Sequence, residues 1–258
     1  MDSIEGIIVT YTVIIPARFA STRLPGKPLA ELAGRPMIEH VWQRALASTA
    51  QRVIIATDDQ RVFQVCQDFG AEVCMTRTEH ESGTDRLAEV VELMQLPSDA
   101  VVVNVQGDEP LIPAAVIEQV ATNLKNTPAA GMATLCERIT HRADVLNPNV
   151  VKVVFNAQHQ ALYFSRSVIP FPRDTEVTDA VVARSDWYRH LGIYAYRVST
   201  LRAFTAWPMA DLEALEKLEQ LRALYQGIQI HVELACAEVP GGVDTPEDLA
   251  YVSALLGG

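Results

Sequence analysis

Short runs of aliphatic and β-branched residues recur along the chain and end in polar or Gly/Pro clusters. The clearest are Tyr11–Ile15, Val53–Ala56, Val101–Val105, Val150–Phe155 and Gln229–Leu234. Apolar runs of this length without polar alternation predict strands covered on both faces. The first three are followed by stretches with helical spacing. After the first, Met37, Ile38, Val41, Trp42 and Ala45 share one helical face, and Pro36 sits by the first turn, where its missing N–H costs nothing. This alternation predicts an α/β fold around a mainly parallel sheet with helices on both faces.

The pattern changes after about residue 130. Segments 131–139, 150–155, 161–169 and 190–198 predict strands with few helices between them, while 170–185 is polar and holds Pro170, Pro172 and Arg173. Residues 130–204 therefore read as a β-rich insertion suited to oligomerisation. A helix is predicted from about Asp211 to Gln226 on the recurrence of Leu212, Leu215, Leu218, Leu221 and Leu224. A strand over 229–234 follows. The last helix starts at Pro246, capped by Thr245 with Asp248 three residues on.

The 258 residues fit one large domain, and 49% apolar with 21% charged residues excludes a disordered or collagen-like chain. Lys plus Arg number 21 against 32 Asp plus Glu, a formal charge of −11, which argues against a nucleic-acid partner read through its phosphates. Cys66, Cys74, Cys136 and Cys236 form no CxxC and no Cys/His set with zinc spacing, so they read as free thiols of a reducing compartment. The N-terminus lacks the basic start of a secretory signal, and the apolar run Ile7–Ile15 falls short of the roughly twenty residues that span a bilayer. The expected location is the cytoplasm, with no membrane partner.

Against this acidic background the segment after the first strand reverses the charge. Between Gly6 and Ala30 lie Arg18, Arg23 and Lys27 and no carboxylate. Loops that follow parallel strands line the ligand crevice of an α/β sheet, small residues there let backbone N–H groups approach phosphate, and cations offset its charge. The loop is not a Walker motif, since Pro28 follows Lys27, and no GxGxxG is present. A solvated surface loop is the competing reading. The run Val101–Val105 ends in Gln106-Gly107-Asp108-Glu109-Pro110, which puts Asp108 at the crevice mouth. One or two carboxylates, completed by phosphate oxygens and water, is a usual Mg²⁺ arrangement; a turn residue before Pro110 is the alternative for Asp108. Glu109 reads as structural. Asp244 lies just before the last helix, where capping explains Thr245 and Asp248 but does not require Asp244.

Taken together, these motifs resemble the 3-deoxy-manno-octulosonate (Kdo) cytidylyltransferases, or CMP-Kdo synthetases, from about Val13 to Leu255. The resemblance is carried by Ile15-Pro16-Ala17-Arg18, Ser21 to Lys27, Ala56-Thr57-Asp58, Met75-Thr76-Arg77, Ser82 to Arg86 and Asn104 to Pro110. The second half adds Ala161 to Arg166, Arg189 to Tyr194, Leu218 to Arg222 and Val243 to Leu249. It implies a Rossmann-like three-layer nucleotidyltransferase core over 11–258, with 130–204 as a smaller β-rich dimerisation region and 1–10 as an N-terminal extension. It further implies a homodimer that converts CTP and Kdo to CMP-Kdo and pyrophosphate for lipopolysaccharide biosynthesis, with Mg²⁺ as cofactor.

The resemblance also implies roles. Pro16, Ala17, Arg18, Ser21, Arg23 and Lys27 match the triphosphate loop, with Arg18 and Lys27 among the catalytic residues. Thr76, Arg77, Ser82, Gly83 and Thr84 match positions near the nucleotide, and Asp108 and Asp244 match the catalytic magnesium ligands. Gln106, Arg166, His190, Tyr194, Glu219 and Gln220 match the sugar-acid pocket. An Arg can hold a carboxylate bidentately, which suits Arg166, and a structural ion pair would use the same residue. His190 and Tyr194, four apart in a strand-like run, share a face. A relative that activates 8-amino-Kdo or a neuraminic acid is the nearest alternative, and a catalytically silent nucleotide-binding dimer is the alternative from another class.

Overall fold

The computed structural model describes residues 10–20, 24–80 and 82–257. Its first apolar run forms β1 (Thr12–Pro16), in which Val13, Ile14 and Ile15 are wholly buried. A small hairpin of β2 (Glu31–Leu32) and β3 (Arg35–Pro36) leads into α1 (Met37–Leu46). Then come β4 (Arg52–Thr57), α2 (Gln60–Asp68), β5 (Glu72–Met75), α3 (Gly83–Leu93), β6 (Val101–Asn104) and α4 (Ala114–Asn126). The second half holds β7 (Met132–Arg138), α5 (Arg142–Leu146), β8 (Lys152–Phe155), β9 (Ala161–Ser165), α6 (Asp179–Arg184) and β10 (Tyr188–Arg197). It ends with α7 (Val198–Ala206), α8 (Asp211–Glu216), α9 (Gln220–Tyr225), β11 (Ile230–Leu234) and α10 (Pro246–Leu256).

Nine strands share one sheet in the order β11-β7-β10-β6-β1-β4-β5, with β8 paired to β10 and β9 to β8. Strands β6, β1, β4 and β5 are parallel, as are β11 and β7, while β10 runs antiparallel to both β6 and β7. The period of two along each strand sorts its residues into two cores. Val13, Ile15, Val53, Ile55 and Val103 meet α1, α2 and α4 on one face; Ile14, Ile54, Ala56 and Val102 meet α3, α7 and α9 on the other. Two covered faces are the physical reason for the unbroken apolar runs. A third, smaller cluster of Ile139, Val145, Val181, Val182 and Trp187 lies in the second half.

Three features differ from the sequence expectation. Strand β5 is not among the predicted strands; it is a four-residue edge whose Glu72 and Met75 are exposed, so it lacks the apolar run that marks the others. The stretch 130–204 gives β7 and β10 to the central sheet and carries α5, α6 and most of α7, so only β8 and β9 lie off the main strand path. The predicted helix over 211–226 is two helices, broken at Lys217, whose φ of 54° is left-handed. Across the break Arg222 forms a buried ion pair with Glu213 at 2.6 Å. On one straight helix these residues, nine apart in sequence, would stand about 13 Å apart along the axis. The chain therefore turns back at Lys217, burying Leu218 and Leu221 and leaving Leu215 83% exposed.

Candidate active site

Strand β1 lies between β4 and β6, so successive connections leave it in opposite directions, and open α/β sheets form their ligand crevice at such a switch. A cavity of about 410 Å³ opens there, lined by Pro16, Ala17, Arg18, Ala20, Lys27, Pro28, Gly83, Gln106, Gly107 and Asp108. The close approach of the β6 exit to β1 explains Gly107, since a Cβ on it would meet the Pro16 carbonyl oxygen at 2.7 Å. Gly83 opens α3, whose first turn is fixed by a reciprocal capping box between Ser82 and Asp85. The start of this helix adds positive potential at the cavity wall. Ser21 and Arg23, the other two residues expected in the triphosphate loop, lie outside the described residues.

Lys27 enters from a single 3₁₀ turn, Lys27–Leu29, that follows Gly26 in the left-handed region. Its Nζ donates to Asp108 Oδ2 at 2.6 Å and to Asp244 Oδ1 at 2.9 Å. The second carboxylate is delivered by the loop before α10, docked on the backbone of the first. Val243 N–H donates to the Asp108 carbonyl at 2.8 Å, and a Cβ on Gly242 would come within 3.1 Å of that same oxygen. Asp244 and Thr245 N–H both donate to Asp248, inside the capping box predicted for α10. Two carboxylates from distant parts of the chain thus converge on one cation. An ammonium already occupying that position tests the fit of a divalent ion, and oxygen donors of this type suit Mg²⁺. Among the described residues no group of three or more His, Cys, Asp or Glu side chains could hold a metal.

A second cavity of about 290 Å³ shares Gly83 and Gln106 with the first. Thr84, Asn104, His190, Tyr194, Tyr196, Glu219 and Gln220 line it, over Met132, Phe204 and Leu218. Five of the six residues expected around the sugar acid meet here. His190 and Tyr194, four apart on β10, keep to one face across a bulge between Leu191 and Tyr194, and the Thr134 hydroxyl on β7 stands within hydrogen-bond distance of the Leu191 and Ile193 carbonyls. Thr134 also lies 3.1 Å from His190 Nε2, and burial pushes the His190 pKa down to about 3, so the imidazole is neutral. Thr84 Oγ1 donates to Glu219 at 2.8 Å, and burial raises the Glu219 pKa above the ordinary carboxyl range. Tyr194 OH, Asn104 Oδ1 and Gln220 Nε2 are buried with no hydrogen-bond partner among the described residues. A pocket holding orphan donors and acceptors is chemically suited to a polyhydroxyl ligand.

The remaining expected residues sit elsewhere. Arg166 lines neither cavity; its guanidinium donates to the carbonyls of Glu216 at 2.7 Å and Pro148 at 3.0 Å, clamping the end of α8 beside the Lys217 break. Thr76 is buried and hydrogen-bonded to the Thr57 carbonyl and to Arg86, which also pairs with Asp58 at 2.7 Å. Arg77 pairs with Glu89 and borders a separate open cleft. Asn104 and Tyr196 also line the second cavity, although their strand positions in the sequence mark them only as core. Glu109, read as structural, lies against a third cavity shared with Arg189, where burial, then the neighbouring Asp108, raises its pKa to about 8.

Comparison with known proteins agrees with this geometry. The family described as Cytidylyltransferase matches residues 12–230. A 3-deoxy-manno-octulosonate cytidylyltransferase of Cellvibrio japonicus is 56% identical over 96% of this chain and 98% of its own, and one of Hahella chejuensis is 53% identical over 95% and 97%. A solved CMP:2-keto-3-deoxy-manno-octonic acid synthetase complexed with CTP superposes with a TM-score of 0.87 at 44% identity, covering 95% of this chain and 98% of the other. A cytidylyltransferase from Leptospira borgpetersenii, at 15% identity and a TM-score of 0.61, shares the fold. A crevice at the β1/β6 switch and matches over nearly the whole length lead to one conclusion: the chain belongs to the cytidylyltransferase family, among the 3-deoxy-manno-octulosonate cytidylyltransferases.

Proposed function

We propose that this protein joins CTP to Kdo, giving CMP-Kdo and pyrophosphate for lipopolysaccharide biosynthesis. The observation that carries the reading is the pair of cavities meeting at Gly83 and Gln106, with Asp108 at the wall of the first and Asp244 beside it. The triphosphate takes the first cavity and the sugar acid the second, so the α-phosphorus and the Kdo C2 hydroxyl meet where they join. The hydroxyl oxygen forms the new P–O bond in line, the bond to the β-phosphate breaks, and pyrophosphate leaves as the hydroxyl proton is lost. Arg18, Lys27 and, by sequence position, Arg23 offset the charge gathering on pyrophosphate, and the start of α3 adds oriented N–H groups. Asp108 and Asp244 would hold Mg²⁺, which when bound supplies charge neutralisation at the phosphate and eases loss of the hydroxyl proton. Gln106, His190, Tyr194, Glu219 and Gln220 orient the sugar. Arg166 supports the pocket from behind through Glu216.

The exposed apolar side chains Leu146, Leu162 and Phe171 support a homodimer through the second half, to be checked by light scattering. Four cysteines free of disulfides agree with the cytoplasm, and no helix among the described residues is long and apolar enough to cross a membrane. The deciding experiment is pyrophosphate release with CTP, Kdo and Mg²⁺, each omitted in turn, with 8-amino-Kdo and a neuraminic acid in parallel. Release that needs all three and is fastest with Kdo is expected. Release only with another sugar acid moves the specificity; CTP binding without release means a silent nucleotide-binding protein.

A further inference from the structure

The ammonium of Lys27 bridges the two carboxylates that the function reading gives to the metal. We propose that Lys27 is the resident counter-ion of the metal-free site, competing with the divalent cation for Asp108 and Asp244, so that metal entry and delivery of Lys27 to the triphosphate are one linked event. This rests on the assignment of those carboxylates to Mg²⁺.

Three observations carry it. Nζ lies 2.6 Å from Asp108 Oδ2 and 2.9 Å from Asp244 Oδ1, so both contacts are at charge-assisted hydrogen-bond distance. The Lys27 side chain is 12% exposed, while the Asp108 and Asp244 side chains keep 35% and 46% of their surface open to an entering ion. A metal ion held between the same two carboxylates would compete for the space Nζ fills, and two cations in contact repel. Next, the backbone already forces the carboxylates together: Val243 N–H is bonded to the Asp108 carbonyl, and Gly242 packs against it. Two anions brought together in this way repel, and a cation between them offsets that repulsion. Last, Lys27 also lines the 410 Å³ cavity beside Arg18, so rotation of its flexible stem moves the charge from the carboxylates to a bound phosphate without a backbone change.

The linkage has a direction. A triphosphate draws Lys27 away and so raises metal affinity, and by reciprocity the metal raises triphosphate affinity by the same factor. Without nucleotide the metal meets an occupied site.

The test titrates Mn²⁺ into nucleotide-free protein and reads free Mn²⁺ by its paramagnetic resonance signal. Lys27→Met should bind Mn²⁺ about tenfold more tightly than wild type, within the usual range of coupling between sites. Lys27→Arg, still able to bridge the carboxylates, should stay near wild type. Adding Asp108→Asn to Lys27→Met should abolish the gain. Equal or weaker affinity in Lys27→Met overturns the competition while leaving the pyrophosphate assay to judge the function reading. A gain that survives Asp108→Asn overturns both the competition and the metal assignment. A second measurement needs no variant: reductive methylation of wild-type Lys27, read by mass spectrometry, should rise several-fold on adding Mg²⁺ without nucleotide, and unchanged or lower labelling overturns the proposal.

Discussion

The two halves of the site are built in different ways. The nucleotide side is made of loops leaving parallel strands, and its charged groups are already paired: Lys27 with Asp108 and Asp244. The side proposed for the sugar includes a strand bulge and a broken helix, and its polar atoms at Tyr194, Asn104 and Gln220 are buried without hydrogen-bond partners among the described residues. The first site has its charged groups in contact before ligand arrives, whereas the second keeps hydrogen-bonding capacity for the ligand. Damage to the first should therefore act on chemistry, and damage to the second on the shape of the pocket and on sugar affinity.

The largest effect that separates the two is expected at the helix break. Glu213→Ala leaves Arg222 without its buried partner, and losing one member of such a pair costs about 3–5 kcal/mol. Urea unfolding should record that loss, and the Kdo KM should rise more than the CTP KM, because α9 carries Gln220 and follows Glu219. Equal changes in both KM values would refute the division into two sides. Asp108→Ala comes next. It should keep the fold by circular dichroism and lower kcat by about 100- to 1000-fold, the usual cost of one preorganised charge contact. Near-normal turnover in a folded variant would remove Asp108 from the chemistry.

A smaller effect belongs to His190 and is read through pH. Its folded pKa, near 3, lies below the ordinary value of 6.5, because burial disfavours the charged ring. Between these values the unfolded chain binds more protons than the native one, so stability falls as pH drops from 6.5 toward 3. At pH 5 the loss is about 2 kcal/mol relative to neutral pH. His190→Gln should flatten the stability difference between pH 7 and pH 5 by that amount, and an unchanged slope would mean that the ring is not held neutral by burial.

The same contrast governs what could be read from the sequence. The side proposed for the nucleotide is local: a strand ends, small and cationic residues follow, and Arg18, Lys27 and Asp108 stand out by position, while the family resemblance is what gives them roles rather than a solvated loop or a turn. Asp244 is also local, since helix capping explains its neighbours and not Asp244 itself. The sugar side depends on contacts between distant segments. The periodic leucines of 211–226 describe a straight helix, and the period carries no mark of the turn at Lys217 across which Glu213 pairs with Arg222. Arg166 has the right chemistry for a carboxylate, yet two backbone carbonyls take its guanidinium. Asn104 reads as the last residue of a buried strand, and only its pairing opposite Tyr194 brings it to the pocket.

The gentlest probe of the comparison is the hinge itself. Lys217 is an ordinary residue held at φ 54°, where a Cβ is crowded and glycine is not. Lys217→Gly removes that crowding but widens the unfolded ensemble, and the two effects oppose each other. The net change in stability should be small, within about 1 kcal/mol, because the two effects are of similar size and opposite sign. A merely permissive hinge also leaves the pocket in place, so the Kdo KM should hardly move. If Lys217→Gly instead raises the Kdo KM as strongly as Glu213→Ala, the lysine side chain at the cavity wall contacts the sugar directly, and the sugar side has a cation of its own.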